Sequence, residues 1–525
     1  MNPMKATVTE PEEVDRPQIT VDANHTPAHP PSAELHTRNG SPPAPVTSSP
    51  RMALSGGAWT IGGYLANQIL RFGFNLILTR LLAPEVFGLM ALVTAFYIGF
   101  GLLTDVGIGP SVIRRAKGDD SRFLNTAWTI QIIRGLVLFF GCALFAWPLG
   151  LLYGVPALPW LLVAVCGCGA IEGFNSIALH VLTSRLVRAP AVLLNLGSYV
   201  VGMMVTLAWV RWVRPDPWGF VLGSLTASTV TVITSHLLLP GFRSRLCWDR
   251  AAVHEIIHFG KWIFLSSLCT FLADQTDRLV LAKLASLTVV GVYQIAYQLC
   301  FIPTRLFYML STQVLFPFYS RHHHSAEGID SGISRVHPLA VFFSAVLATG
   351  LYAAGPALIA CLYRKNYHGA ILYTQLLAIA AFLKMIECSS SAVLLGLGQS
   401  RAPALTNAIK TAAMVVLLPL GFYLGDVPGF IIGLALSDLL RYILTLSALH
   451  RRGRKILHHD LPLILCVIVI ALSADGVGRL ASGPWVRLGL ATAVTLLLWG
   501  CVFLVWRRKL RSAYQTTSAS SIVDA

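Results

Sequence analysis

The sequence predicts an all-α integral membrane protein. About fourteen transmembrane helices should form two parallel-related six-helix lobes around a central cavity, with two extra helices at the C-terminal end. Three observations carry this. Hydrophobic residues make up 55% of the chain and charged residues 12%, at a mean hydropathy of +0.66, where soluble domains carry about 25% charged residues. Apolar stretches recur from Ala58 to Trp506, each of about 20 residues and long enough to cross a bilayer as a helix. The chain also repeats itself. At an offset of 203 residues, Gly57 falls on Gly260, Trp59 on Trp262, Leu78 on Leu281, Arg80 on Lys283 and Gly88 on Gly291.

The elements follow in order. Residues 1–51 are rich in Pro, Ser, Thr and His and poor in large apolar residues. Such a segment cannot bury enough surface to fold and reads as a disordered cytoplasmic tail. It has no apolar core of a signal peptide, so the first span is expected to act as the targeting signal. The N-terminal lobe covers 52–240, with spans beginning near Ala58, Phe87, Leu124, Trp160, Val192 and Trp218. A cytoplasmic linker, 241–260, leads into the C-terminal lobe, 261–450, whose spans begin near Trp262, Val289, His337, Ile371, Ala404 and Phe430. Two additional spans, from Leu461 and Trp485, occupy 451–511, and 512–525 reads as a second disordered tail. Pro303 and Pro317 bracket span 8 and are expected to kink or end it.

Lys and Arg in the loops set the orientation. One set of loops, with the C-terminal flank, holds 21 basic residues, among them Arg114, Arg115, Lys117, Arg185, Arg243, Arg451, Arg452 and Lys455; the other holds 8, including Arg80, Lys283 and Arg364. Both termini are therefore expected in the cytoplasm. The bias also accounts for much of the net charge of +16, so nucleic-acid binding is not needed to explain it. Spans 1 and 2 match spans 7 and 8. Six is an even offset, so the two copies cross the membrane in the same sense, related by an axis along the membrane normal.

Several ionisable residues fall near the middle of predicted spans: Arg71, Arg134, Glu172, Asp274, Asp277, Arg278, Arg305, Lys384, Glu387 and Lys410. A charge at the bilayer centre costs at least about 2.5–3.5 kcal/mol on insertion scales, so each should face a partner or a water-filled cavity. Lys384 with Glu387, and Asp277 with Arg278, could neutralise each other within their own helices. Asp274 is less easily paired and is a candidate, with Asp277 and Glu387, for a coupling ion. Arg71, Arg134 and Arg305 have no acid at i±3 or i±4, which leaves snorkelling, an interhelical partner, or a cationic cavity wall. Arginine suits phosphate because its planar fork binds bidentately and stays charged. Asn67, Gln68, Arg71 and Asn75 make a polar stripe on an otherwise apolar span, costly against lipid and so expected inside. The candidate substrate-binding set is Asn67, Arg71, Asn75, Arg134, Arg278, Arg305, Lys384 and Lys410.

Other clusters carry less. The ten cysteines lie mostly in apolar helix sequence without metal-ligand spacing and read as small buried hydrophobes. His322, His323 and His324, like His458 and His459, read as solvated loop residues rather than a metal site. No P-loop, serine nucleophile elbow or metalloprotease motif occurs, which argues against ATP hydrolysis by this chain.

The segments LILTRLLAPEVFGL and DVGIG, then DRLVLAKL, GVYQIAYQL and LFPFYSR, resemble helices 1–2 and 7–8 of Wzx-type polysaccharide flippases. These form a branch of the multidrug/oligosaccharidyl-lipid/polysaccharide exporter superfamily, and the resemblance covers roughly Met52 to Arg508. The second copy, LASLTVVG, lacks the Ala-Pro turn of the first. The resemblance implies a non-enzymatic transporter of the bacterial plasma (inner) membrane. Its substrate would be an undecaprenyl-diphosphate-linked oligosaccharide for a surface or exopolysaccharide. Its setting would be the lipid bilayer, with a polysaccharide polymerase and export machinery as partners. No cofactor is implied, and a proton or sodium gradient would supply coupling. Three readings compete. A drug/cation antiporter would favour acids and aromatics over a surplus of arginine. A polymerase or ligase would need a large outer loop. A scaffold would leave the buried charges unexplained.

Overall fold

The computed structural model describes residues 50–114, 121–184, 187–238, 244–322, 326–454 and 456–523. All but the last two residues of the expected tail 1–51 lie outside them. So do Arg115, Lys117, Arg185, Arg243, His323, His324 and Lys455. Every regular element among the described residues is helical.

The first lobe comprises α1 (Pro50–Leu81), α2 (Pro84–Leu103), α3 (Ile108–Arg114), α4 (Ser121–Tyr153), α5 (Leu158–Glu172), α6 (Ala178–Ser184), α7 (Ala189–Trp212) and α8 (Trp218–Leu237). The second comprises α9 (Arg250–Leu284), α10 (Leu287–Leu310), α11 (Phe316–His322), α12 (Ala326–Leu362), α13 (Ala370–Gly396) and α14 (Arg401–His450). The additional helices are α15 (Leu457–Arg479) and α16 (Pro484–Val523).

Among the described residues ten helices are long and apolar enough to span a membrane by length and composition, and the sequence count of about fourteen differs from this for visible reasons. The stripe Asn67, Gln68, Arg71 and Asn75 lowers the hydropathy of α1. Asp274, Asp277, Arg278 and Lys283 do the same for α9. The fourth expected span is broken into α5 and α6 around Gly173–Ile177. The fifty residues of α14 fold back on themselves at Gly425 and Asp426, where the backbone leaves helical geometry. A Cβ on Gly421 would stand 2.3 Å from Gly429 O, and one on Gly433 2.4 Å from Leu417 O. Residues before and after the break therefore pack antiparallel, and only glycine allows backbones that close.

Three expectations are corrected. Neither proline ends span 8: Pro303 lies within α10, and a π-helical turn, Ser311–Leu315, carries the helix into α11 past Pro317. Neighbouring helices can satisfy the backbone groups a proline frees inside a membrane. The linker 241–260 is not separate throughout, because from Arg250 it is the first part of α9. Asp249 caps that start, accepting from Ala251 N at 2.9 Å. The stretch read as a second tail, 512–525, is helical as far as Val523.

The two copies of the repeat meet each other. α2 packs against α10. A Cβ on Gly88 would lie 1.9 Å from Leu287 O, and one on Gly291 would lie 1.9 Å from Pro84 O. Each glycine thus receives the backbone four residues before its counterpart. One position further into each helix than Pro84 and Leu287, Thr288 Oγ1 donates to Glu85 Oε1 at 3.0 Å across 203 residues, the repeat offset itself. Equivalent residues in contact place the pseudo-twofold axis between α2 and α10. Tyr367 Oη donates to Leu82 O at 2.9 Å, and its ring meets Phe87 edge-on at 6.0 Å. Lys283 Nζ donates to Leu152 O at 2.5 Å. The ends carrying Arg80 and Lys283 are therefore sealed together.

Candidate functional site

Between the lobes, α1 faces α10 through polar groups. Asn75 Nδ2 donates to Gln298 Oε1 at 3.0 Å, and Tyr64 Oη to Ile302 O at 3.4 Å. Arg71 and Arg305, on opposite lobes, both lie close enough to Tyr64 to act on its hydroxyl electrostatically. Arg71 also borders Tyr199 of α7. Both arginines are exposed, and among the described residues neither makes an ion pair. Arg305 stands 5.4 Å from the ring of Tyr308. Asn67 is half-buried on the same helix as Arg71. Asn75 Oδ1 is buried without a protein partner among the described residues.

The other candidates have partners. Lys384 meets Asp274 at 3.3 Å. Lys410, almost fully buried, meets Asp438 at 2.5 Å. Glu387 accepts from Arg441 at 3.1 Å and from Thr445 Oγ1 at 3.2 Å. Tyr293 Oη donates to Asp277 Oδ2 at 2.7 Å. Arg278 donates to Gln275 Oε1 at 2.6 Å and lies 4.4 Å over the Tyr297 ring. Arg134 donates to Gly101 O at 3.0 Å and stands 4.0 Å from Asp105. The intrahelical pairs Lys384–Glu387 and Asp277–Arg278 are thus replaced by partners on other helices, or by neutral groups. Such bonds satisfy buried charge more completely than one neighbour on the same helix.

Asp274, Asp277, Lys384, Lys410 and Asp438 line one cavity inside the C-terminal lobe, of about 50 Å³. At roughly 10–15 Å³ per water, it holds a few waters and no sugar. Three acids and two bases line it, so this cluster is an internal polar core rather than a cationic wall. The fold-back of α14 builds one side of it by bringing Lys410 opposite Asp438. Sequence reading missed Asp438 and Arg441 for this reason. It also missed Gln298, because only the α1–α10 interface gives that residue a role.

The additional helices are tied in by buried acids. Asp460 accepts from Tyr442 Oη at 2.5 Å and pairs with His337 at 2.8 Å, with Ser389 on the other ring nitrogen at 3.0 Å. Asp475 meets Arg487 at 3.0 Å and Arg479 at 2.7 Å. Cys142, Cys166, Cys168 and Cys300 are buried and free. No group of three or more metal-ligating side chains occurs among the described residues.

This fold is shared with solved membrane proteins. The "Lipid II flippase MurJ, inward closed conformation" superposes with a TM-score of 0.67 at 13% identity, over 87% of this chain and 99% of that one. An inward-facing multidrug resistance MATE family transporter of the MOP superfamily gives 0.59 at 14% identity, over 75% of this chain and 94% of that one. The chain belongs to the family described as "Polysaccharide biosynthesis protein", whose model matches residues 77–372. It is 21% identical to the Lipopolysaccharide biosynthesis protein WzxC of Escherichia coli (strain K12), over 75% of this chain and 80% of that protein. It is 21% identical to the Succinoglycan biosynthesis transport protein ExoT of Rhizobium meliloti (strain 1021), over 68% and 73%.

Proposed function

We propose that this chain is a flippase for an oligosaccharide carried on undecaprenyl diphosphate, moving it from the cytoplasmic to the outer leaflet for a surface or exopolysaccharide. The observation that carries the reading is Arg71 and Arg305. Two exposed cations on opposite lobes lie near Tyr64, and among the described residues neither makes an ion pair with an acid. At membrane depth such charges are costly unless an anion or water meets them. A diphosphate is that anion, and paired guanidinium forks suit it. The roles in the names of the similar proteins, lipopolysaccharide biosynthesis, succinoglycan transport and lipid II flipping, support the same substrate class.

The mechanism follows from the two-lobe frame. The loop charges favour an orientation with the α2–α10 seal at the outer face, so the diphosphate enters from the cytoplasmic side while its prenyl chain stays in the bilayer. Rocking of the lobes about the glycine crossing opens the outer end and closes the inner one. The turns at the sealed end are short, as at Leu82–Ala83 and Ala285–Ser286, and leave little material for a polymerase or ligase loop.

The test is translocation of a fluorescent undecaprenyl-diphosphate oligosaccharide in proteoliposomes. Wild-type protein should move it, and excess undecaprenyl diphosphate without sugar should compete. Transport of an organic cation, with no movement of the lipid, would favour the antiporter instead.

A further inference from the structure

The N-terminal lobe contains a carboxylate that the mechanism above leaves idle. Glu172 closes α5 where the fourth span breaks. Its two oxygens accept from two hydroxyls on two other helices. Tyr97 Oη of α2 donates to Oε2 at 3.2 Å, and Ser228 Oγ of α8 donates to Oε1 at 2.9 Å. Among the described residues it makes no ion pair. Held from both sides, the carboxylate is directed between α2 and α8 into the lobe, where it remains solvent-accessible.

The break beside it is built in advance. Gln131 of α4, 8% exposed, donates through Nε2 to Gly173 O and Asn175 O, both at 3.0 Å. The oxygen of the same amide, Gln131 Oε1, is buried without a protein partner among the described residues, as is Asn175 Oδ1. Ser235 Oγ receives Ser176 N at 3.1 Å, and His236 bonds Phe174 O at 2.8 Å. A helix interrupted at membrane depth, its freed backbone groups satisfied and a carboxylate at its end, is the arrangement in which transporters hold a coupling ion. The other ionisable groups around it do not compensate its charge. Cys168, on its own helix, is buried and carries no positive charge. Arg134 on α4 is spent on Gly101 O and Asp105.

We propose that Glu172 carries the coupling proton. A proton from the outer side binds one carboxylate oxygen, the neutral acid crosses the lobe transition, and the proton leaves to the cytoplasm as the lipid moves outward. No bond other than the O–H forms or breaks. Two hydroxyls that can each donate or accept hold the carboxyl in either protonation state. Three C-terminal acids do not fit this role, because Lys384, Lys410 and Arg441 already neutralise Asp274, Asp438 and Glu387; Asp277 has no such base and is 3% exposed, bonded to Tyr293, whereas Glu172 is open to solvent.

This inference rests on the flippase reading, and the experiment separates the two. Full-length protein in proteoliposomes is given the fluorescent undecaprenyl-diphosphate oligosaccharide and an imposed pH gradient, and the steady-state ratio between leaflets is read. For one coupled proton the wild-type ratio should shift by about tenfold per pH unit. Glu172→Gln should still equilibrate the lipid but hold the ratio near one at every gradient. Glu172→Asp should restore part of the response and shows that the site tolerates substitution. A Glu172→Gln response equal to wild type overturns the inference, as does a wild-type ratio that follows a sodium gradient instead. Either result leaves the flippase reading intact. Absence of any translocation by wild-type protein overturns that reading itself.

Discussion

The two lobes share a frame and divide the chemistry. In the C-terminal lobe three acids meet a base distant in sequence: Asp274 meets Lys384, Asp438 meets Lys410 and Glu387 meets Arg441, while Asp277 meets the Tyr293 hydroxyl. In the N-terminal lobe Glu172 is met only by hydroxyls, and Arg71 lies beside tyrosines. That contrast separates structural charges from functional ones. A buried pair neutralises itself and holds helices together, while a charge left open to a cavity can change partners during a cycle. A count of charges at membrane depth hides this distinction.

The largest expected effect tests the paired side. Lys410→Met leaves Asp438 buried without its base and should cost about 3–5 kcal/mol, read as a fall in thermal stability in detergent. Lys410→Met with Asp438→Leu should recover most of that loss. Equal loss in the single and double variants would show that the pair is not what holds α14 closed.

The next effect tests the open side. Arg71→Ala and Arg305→Ala should each lower oligosaccharide transport by about tenfold or more, the worth of one charge-assisted hydrogen bond, with the melting temperature little changed. A drop in stability as large as that of Lys410→Met would place these arginines in the structural class.

The shared frame is tested at its axis. Gly88→Ala and Gly291→Ala each press a methyl against backbone, and each should cost about 1–3 kcal/mol. The double variant should cost less than the two singles together, because both separate the same pair of helices. Simple additivity in thermal unfolding would show that α2 and α10 respond independently. The smallest effect is expected from Thr288→Val. Its bond to Glu85 is exposed and should contribute about 1 kcal/mol or less, seen as a slight destabilisation of the sealed end.

Much of the fold was legible because repetition and composition are written along the chain. Gly88 and Gly291 could be matched by offset alone, although nothing in the offset says that they touch. The polar stripe on α1 could be read from spacing, but its partner Gln298 could not. Charge pairing was the least legible part. Lys384 lies 110 residues from Asp274, and a neighbour such as Glu387 three positions on is the only partner that helical periodicity offers. Lys410 and Asp438 meet because α14 reverses at Gly425, a turn whose consequence for distant side chains appears only in three dimensions. Glu172 stood out as a charge in a span, while the hydroxyls that hold it come from helices 75 residues before it and 56 after.

The most direct test sets the open cations against a closed pair in one assay. Translocation of the undecaprenyl-diphosphate oligosaccharide is measured for Arg71→Ala/Arg305→Ala and for Asp274→Asn/Lys384→Met, at matched protein levels in proteoliposomes. The account predicts that the arginine variant loses transport while remaining folded, and that the Asp274/Lys384 variant transports within about threefold of wild type, consistent with the modest worth of a partly exposed ion pair. Full transport by the arginine variant, or complete loss in the Asp274/Lys384 variant, would contradict it.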